Sequence, residues 1–417
     1  MIFGGLITIL IESNIKIQDI SYSSYDLWNT SRIQNSGQLI GLYVNASTTQ
    51  VQTICTNTII SSINTSQLSS FGLFGQVNGK LVIENANTYY ETQLGTYSKF
   101  GAVGQTISSC VMVEYSNWNI QMIMNENNGV NVSALTGYHA ALNWSITSIM
   151  LNNTITSGFI VGLLAGHASN TGQIYKLFIN QSNSSAYCNL CNSGVYSGAI
   201  MGYLGKNSQI LVNLVVLQQI YISGGSYSKW HAHNGGVVGQ ICTNAIIVIN
   251  NTIFNSSSVI SIQENQNYAH IGGFVGKNYG IVTINSSQIL QGNIYGTCQS
   301  AAFSGGIVGY MDMNSSLCVM FSLHNSTNIS AKSNYNSSSA GFIGNTNATI
   351  YSIEICNSRI VNSIIISNGL IVNAKISLNY ISGPISFLNS SVEGINVIND
   401  VVIINCNIIS IDSIDGC

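Results

Sequence analysis

Charge is the scarcest property of this chain. Of 417 residues, 11 are Lys or Arg and 14 are Asp or Glu, only 6% together, for a net charge of −3. About a quarter is usual. No basic stripe is present to neutralise a phosphate backbone, so no nucleic-acid partner is expected. Aspartate is missing between Asp26 and Asp312, and Glu84, Glu91, Glu114, Glu126, Glu264, Glu354 and Glu393 stand singly. Glycosidases need two carboxylates about 5–9.5 Å apart. Glu84 and Glu114 are the pair that could align on neighbouring repeats, although a solvated face suits both. Lyase-type chemistry needs acidic metal ligands with a basic partner, and Arg32 and Arg359 have no acidic cluster nearby. The expectation is a non-enzyme, with catalytic residues none, cofactor-binding residues none, metal ligands none and cofactors none.

Proline is nearly absent too. The single Pro384 leaves every backbone N–H before it free to join a hydrogen-bond ladder. Good helix formers are sparse. Long uncharged stretches such as 127–175 are broken by Asn, Ser and Gly well before the about 18 apolar residues of a membrane span. Hydrophobic residues are 46%, which together with the low charge disfavours a disordered chain. The stretch Met1–Ile11 lacks the basic start and small-residue cleavage site of a signal peptide.

What the chain does have is a glycine-framed motif. It occurs as FGLFG at Phe71–Gly75, FGAVG at Phe100–Gly104, GGVVG at Gly235–Gly239, GGFVG at Gly272–Gly276 and GGIVG at Gly305–Gly309. Looser copies are Gly37–Gly41, Ser133–Gly137, Gly162–Gly166 and Ala340–Gly344, with a shortened GYLG at Gly202–Gly205. The recurrence, about every 34 residues, marks a stack of units that cannot bury their apolar faces alone. At the start, FGGLIT places Thr8 in the closing-glycine slot, so the chain is expected to begin inside a repeat, as a fragment or truncated array would.

Each unit holds three short segments rich in Ile, Val, Phe or Tyr, separated by Asn, Ser and Gly, which is a strand signature. The predicted fold is all-β: a right-handed parallel β-helix of about ten to twelve coils, with three short strands per coil. Glycine has two expected roles, turning corners at positive φ and admitting close approach of neighbouring coils. Asn85, Asn152, Asn180, Asn250, Asn285 and Asn357 follow second strands, where a left-handed corner suits them and stacked amides can bond up the column. Residues 1–36 are taken as a partial first repeat, 37–360 as the array, and 361–417 as Ile/Asn-rich shorter coils or a terminal cap.

The repeat resembles the GLUG motif, best at Gly272–Ser287 (GGFVGKNYGIVTINSS) and well at Gly235–Thr252 and Phe71–Asn85. The resemblance implies a β-solenoid of secreted or surface placement, often with an adhesive role, and it carries no catalytic residues.

The remaining chemistry has plain readings beside sharper ones. His231 and His233 would share one side of a strand, a two-ligand start for metal, but with no third ligand and Trp230 beside them an exposed loop tip is favoured. His139, His167, His270 and His324 stand alone. Of ten cysteines, Cys188 and Cys191 form the one CxxC pair, suited to a small loop disulfide; Cys242, Cys318, Cys356 and Cys406 suit buried thiols. Seventeen Asn-x-Ser/Thr triplets match chance in so Asn-rich a chain. Tyr89, Tyr90, Trp118, Trp144 and Trp230 are the aromatics that could stack on sugar rings. The functional expectation is a structural or adhesin-like solenoid, extracellular or at the cell surface, with a host or matrix protein or a glycan as partner and possible end-to-end self-association. The alternatives are a carbohydrate-binding or carbohydrate-active β-helix, and a fragment of a larger repeat protein.

Overall fold

A computed structural model describes strand backbone from Ile2 to Asp415 and side chains from Phe74 to Asn345. Within that window the side chains of 78–79, 85–86, 88, 90–98, 108–109, 111, 122–130, 188–193, 226–230, 262–266, 313, 324–326, 328, 332 and 334–342 lie outside the description. The described residues contain strands and no α-helix, and neighbouring coils pair in parallel. The chain is a β-solenoid. Side chains are described through about six turns, a stack visible in the ladder Thr136–Ala165–Met201–Val238–Val275–Val308.

One coil shows the construction. It runs Tyr268–Gly272, Val275–Asn278, Ile281–Asn285, Gln288–Leu290 and Asn293–Cys298. The three expected segments become five because two of them bend, one at the Gly273–Phe274 step and one at Ser286–Ser287. The strands flanking the glycine motif stack into one parallel sheet, and the rest of each coil builds a second.

The core lies between these walls as vertical columns. Ile146, Ile174, Val212, Ile249, Ile284 and Val319 stand one above another, each essentially inaccessible to water. Burying one such side chain contributes about 1.5–3 kcal/mol, so the repeated column is the main cohesive element. Among the described residues no helix is long and apolar enough to cross a membrane.

The ladders correct the motif spacing at one place. Gly166 lies opposite Gly202, which lies opposite Gly239, because Ala165↔Met201↔Val238 and His167↔Tyr203↔Gln240 flank them. The closing glycine of this coil is therefore Gly202 and not Gly205, and its motif is Gly198–Gly202 (GAIMG). At the other end of the chain, Ile7↔Ile40 and Ile9↔Leu42 put Thr8 opposite Gly41. Beyond Ser352 the backbone register shortens: Lys375 pairs with Ser391 and Ser391 with Asn407.

Corners come from residues other than glycine. Asn117, Ser148, Lys176, Leu214, Asn251, Ser286 and Phe321 form one column, each at φ between 49° and 57°. Asn153, Gln181, Gln219, Ser256 and Gln291 form a second, at 47° to 53°. The asparagines expected at these corners, Asn152, Asn180, Asn250 and Asn285, each sit one residue before the left-handed one. Asn85 and Asn357 lie outside the described side chains.

Candidate functional site

The motif glycines bring two strands into backbone contact. A Cβ on Gly276 would stand 2.5 Å from Gly239 O and 2.6 Å from Asn234 N. One on Gly344 would stand 2.6 Å from Gly309 O and 2.7 Å from Ser304 N. Real Cβ atoms do not approach so closely, so the motif is glycine-framed for close approach. The motif glycines Gly162, Gly166, Gly198, Gly202, Gly235, Gly239, Gly272, Gly276, Gly305, Gly309 and Gly344 adopt no positive φ, so the corner role expected of glycine falls here to the two columns above, mostly Asn, Ser and Gln.

On this glycine-framed sheet the side chains form two adjoining columns. One runs Tyr138–His167–Tyr203–Gln240–Lys277–Tyr310. The other runs Asn131–Ile160–Tyr196–His233–His270–Phe303. Their rings touch in sequence: Tyr138–His167 at 4.7 Å, His167–Tyr203 at 4.8 Å, Tyr203–Tyr196 at 5.4 Å and Tyr196–His233 at 5.3 Å between centroids. His233–His270 follows at 4.8 Å, then His270–Tyr310 at 4.7 Å and His270–Phe303 at 5.6 Å. Offset and edge-on contacts of this kind add about 0.5–1.5 kcal/mol per pair beyond burial.

Histidine is the residue type most altered by this arrangement. His233 and His270 are each 4% exposed, in strands His231–Gly235 and Tyr268–Gly272, so His231-Ala-His233 is strand and not the exposed loop tip expected. Trp230 lies outside the described residues. His233 Nδ1 donates to Gln240 Oε1 at 2.6 Å, while His233 Nε2 and His270 Nδ1 are buried with no hydrogen-bond partner. Burial holds both imidazoles well below the usual histidine range, reinforced by Lys277 and by neighbouring imidazoles. His139 is buried against Thr106 (2.8 Å) and pushed down to about 3 by burial; His167 is pushed to about 4, by burial and then by Lys99. The solitary histidines of the sequence are thus mostly wall residues. His324 has no described side chain.

Lys277 completes the face. Its ammonium stands 4.6 Å from the centroid of Tyr279, 5.0 Å from that of Tyr310 and 3.8 Å from Asp312 Oδ2. Burial lowers its pKa and Asp312 opposes that shift. Among the described residues no group of three His, Cys, Asp or Glu side chains is placed to hold a metal ion.

The expected sugar-stacking tryptophans are inside. Trp118 is 1% and Trp144 3% exposed; Trp118 meets Tyr115 edge-on, and Trp144 lies over Gly172 and donates Nε1–H to Ser169 O. Tyr89 is half-buried, and Tyr90 lies outside the described side chains. Two shallow notches of the second sheet, about 260 and 270 Å³, are both bordered by Thr171, Gly172 and Gln173. Glu114 borders the first of them. Glu84 is not opposite Glu114: Glu84 pairs with Ser116, and Glu114 with Val82.

Cysteine follows the buried-thiol reading only partly. Cys110, Cys242 and Cys298 are buried thiols, with burial pushing Cys110 up to about 12 and Cys298 to about 11, whereas the Cys318 thiol is only half-buried. Cys188, Cys191, Cys356 and Cys406 have no described side chains.

The corners contain a second feature hidden in the sequence. In Asn152-Asn-Thr154, Asn180-Gln-Ser182, Asn250-Asn-Thr252, Asn255-Ser-Ser257 and Asn285-Ser-Ser287, the third residue is buried and its hydroxyl donates to the carbonyl of the first, at 2.7–3.2 Å. The same oxygen accepts an N–H from the adjacent coil, as in Thr154 N–Ser182 Oγ (3.1 Å), Ile220 N–Ser257 Oγ (2.9 Å) and Thr252 N–Ser287 Oγ (3.2 Å). These Asn-x-Ser/Thr triplets are corner modules. The signal was the phase of the triplets against the repeat, which counting alone cannot reveal.

Comparison with family models, with characterised proteins and with solved structures finds no match for this chain.

Proposed function

We propose that the chain is a non-catalytic, adhesin-like β-solenoid of the secreted or cell-surface kind, akin to GLUG-repeat proteins. It acts as a stiff spacer whose outer columns and corners meet a host or matrix protein or a glycan. In this reading the array is right-handed, the usual hand of parallel crossovers, and runs for ten to twelve coils. The observation that carries it is the use made of polar chemistry: rings stack on rings, hydroxyls close corners, and Lys277 covers Tyr279 and Tyr310. Nine of the twelve outward corner positions are Asn, Ser or Gln, the others being Lys176, Leu214 and Phe321, a largely hydrated surface with little charge to select against partners.

The test is a binding screen with the whole recombinant chain. Saturable binding to cells, matrix proteins or a glycan array, without turnover of polysaccharide substrates, is expected. Hydrolysis or elimination of any polysaccharide overturns the non-catalytic part, and absence of binding to all three classes overturns the adhesive part.

A further inference from the structure

We propose that the stack of His231, His233 and His270 is an acid-sensitive clasp, closed at neutral pH and opened by protonation, which loosens the motif sheet over two adjacent coils. The geometry carries the proposal. His233 pairs with His270 in register, their ring centroids are 4.8 Å apart, and His231 stacks on His233 at 6.1 Å and on Tyr268 at 4.8 Å. Two nitrogens in the stack, His233 Nε2 and His270 Nδ1, are buried and unpartnered, so a proton added to either finds no acceptor.

The groups facing the stack make the added charge worse. From the adjoining column come Gln240, whose carbonyl already takes the His233 Nδ1 proton, Lys277, and Tyr310 against His270. Along the column itself stand Tyr196 on one side and Phe303 on the other, and Tyr268 borders His270. The carboxylate of this face, Asp312, is turned to Lys277. His233 and His270 are influenced by Lys277, by His231 and by each other, all basic.

The direction follows from linkage. An opened strand takes up protons at the ordinary imidazole value of 6.5, while the closed stack takes them up only far lower. The open form therefore binds more protons, and opening gains ground as pH falls below that value. Between pH 7.5 and pH 5 each of His233 and His270 favours opening by up to about thirtyfold, the limit for a closed stack that takes up no proton.

Hydrogen exchange on the full chain, corrected for the intrinsic pH dependence of exchange, reads this directly. Protection of Ala232–Gly235 and Ala269–Gly272 should fall by more than about tenfold over that range, with strand Val308–Met311 much less affected. The control borrows residues from the same column: His233→Tyr, as Tyr196, and His270→Phe, as Phe303. The double variant should keep its neutral-pH protection and lose the acid response. A flat profile in the native chain, or an acid response unchanged in the folded double variant, overturns the clasp. If the variant does not fold, the native profile decides: a fall confined to the two strands supports the clasp, and a uniform fall along the solenoid overturns it.

Discussion

A left-handed backbone is cheap for Gly or Asn and costs about 1–2 kcal/mol for other residues, because Cβ crowds the following carbonyl. Phe321 adopts φ 51° while 61% exposed, and Leu214 adopts φ 55° while 41% exposed, in a column that elsewhere holds Asn117 and Asn251. Neither side chain gains much burial in exchange. Phe321→Asn and Leu214→Asn should each stabilise the chain by about 0.5–1 kcal/mol, seen as a higher denaturation midpoint at unchanged m-value. The corner hydroxyls act in the opposite direction. Ser287 Oγ donates to Asn285 O and accepts from Thr252 N, so Ser287→Ala leaves a buried N–H and a carbonyl short of a partner. A loss of about 1–3 kcal/mol is expected, and Ser287→Thr should recover most of it, as Thr154 and Thr252 occupy equivalent corners.

At the scale of the strand, the glycine motif and the corners decide how closely coils approach and which side chains turn inward. Gly276→Ala places a methyl carbon 2.5 Å from Gly239 O and 2.6 Å from Asn234 N, both backbone atoms that can yield only by shifting a coil. A cost of about 3 kcal/mol is expected by equilibrium unfolding, and a loss under about 0.5 kcal/mol would refute the close-approach role. Strand signatures and stacking were legible because parallel pairing repeats the same residue types at the same phase. Inside-versus-outside was less legible. Strand Gln209–Gln218 buries Ile210 and Val212, then Val215 and Leu217, because left-handed Leu214 resets the alternation by one residue. Strand Asn143–Asn152 resets at Ser148 in the same way. An uninterrupted period of two therefore misplaces half of each long strand. The same limit hid the tryptophans: Trp144 is interior because Gly172 in the next coil vacates the space for its indole, a fact of neighbouring coils and not of local sequence. The ring-lined face was hidden likewise, since Tyr196, His233 and His270 are 37 residues apart in the chain and adjacent in the wall.

A solenoid contacts itself mainly between successive coils, so its stability approximates a sum of coil terms and interfaces. The register makes a quantitative consequence available. Gly162 pairs with Gly198, so removing 163–198 joins two equivalent points of the wall. Strand Asn143–Asn152 then meets strand Gln209–Gln218, each ten residues long with its left-handed residue at the sixth position, Ser148 and Leu214. Apolar columns continue across the junction, with Ile146 over Val212 and Leu151 over Leu217, through the shared partners Ile174 and Ile179. The shortened chain should fold, keep its β-sheet circular dichroism per residue, and show a denaturant m-value lower by roughly a tenth, in proportion to the surface removed. Removing only 163–180 deletes strand Thr171–Asn180 while keeping Asn183–Cys188, so each column above the cut meets a partner from the wrong wall. That variant should lose the cooperative transition. If both deletions behave alike, coil register is not what holds the molecule together.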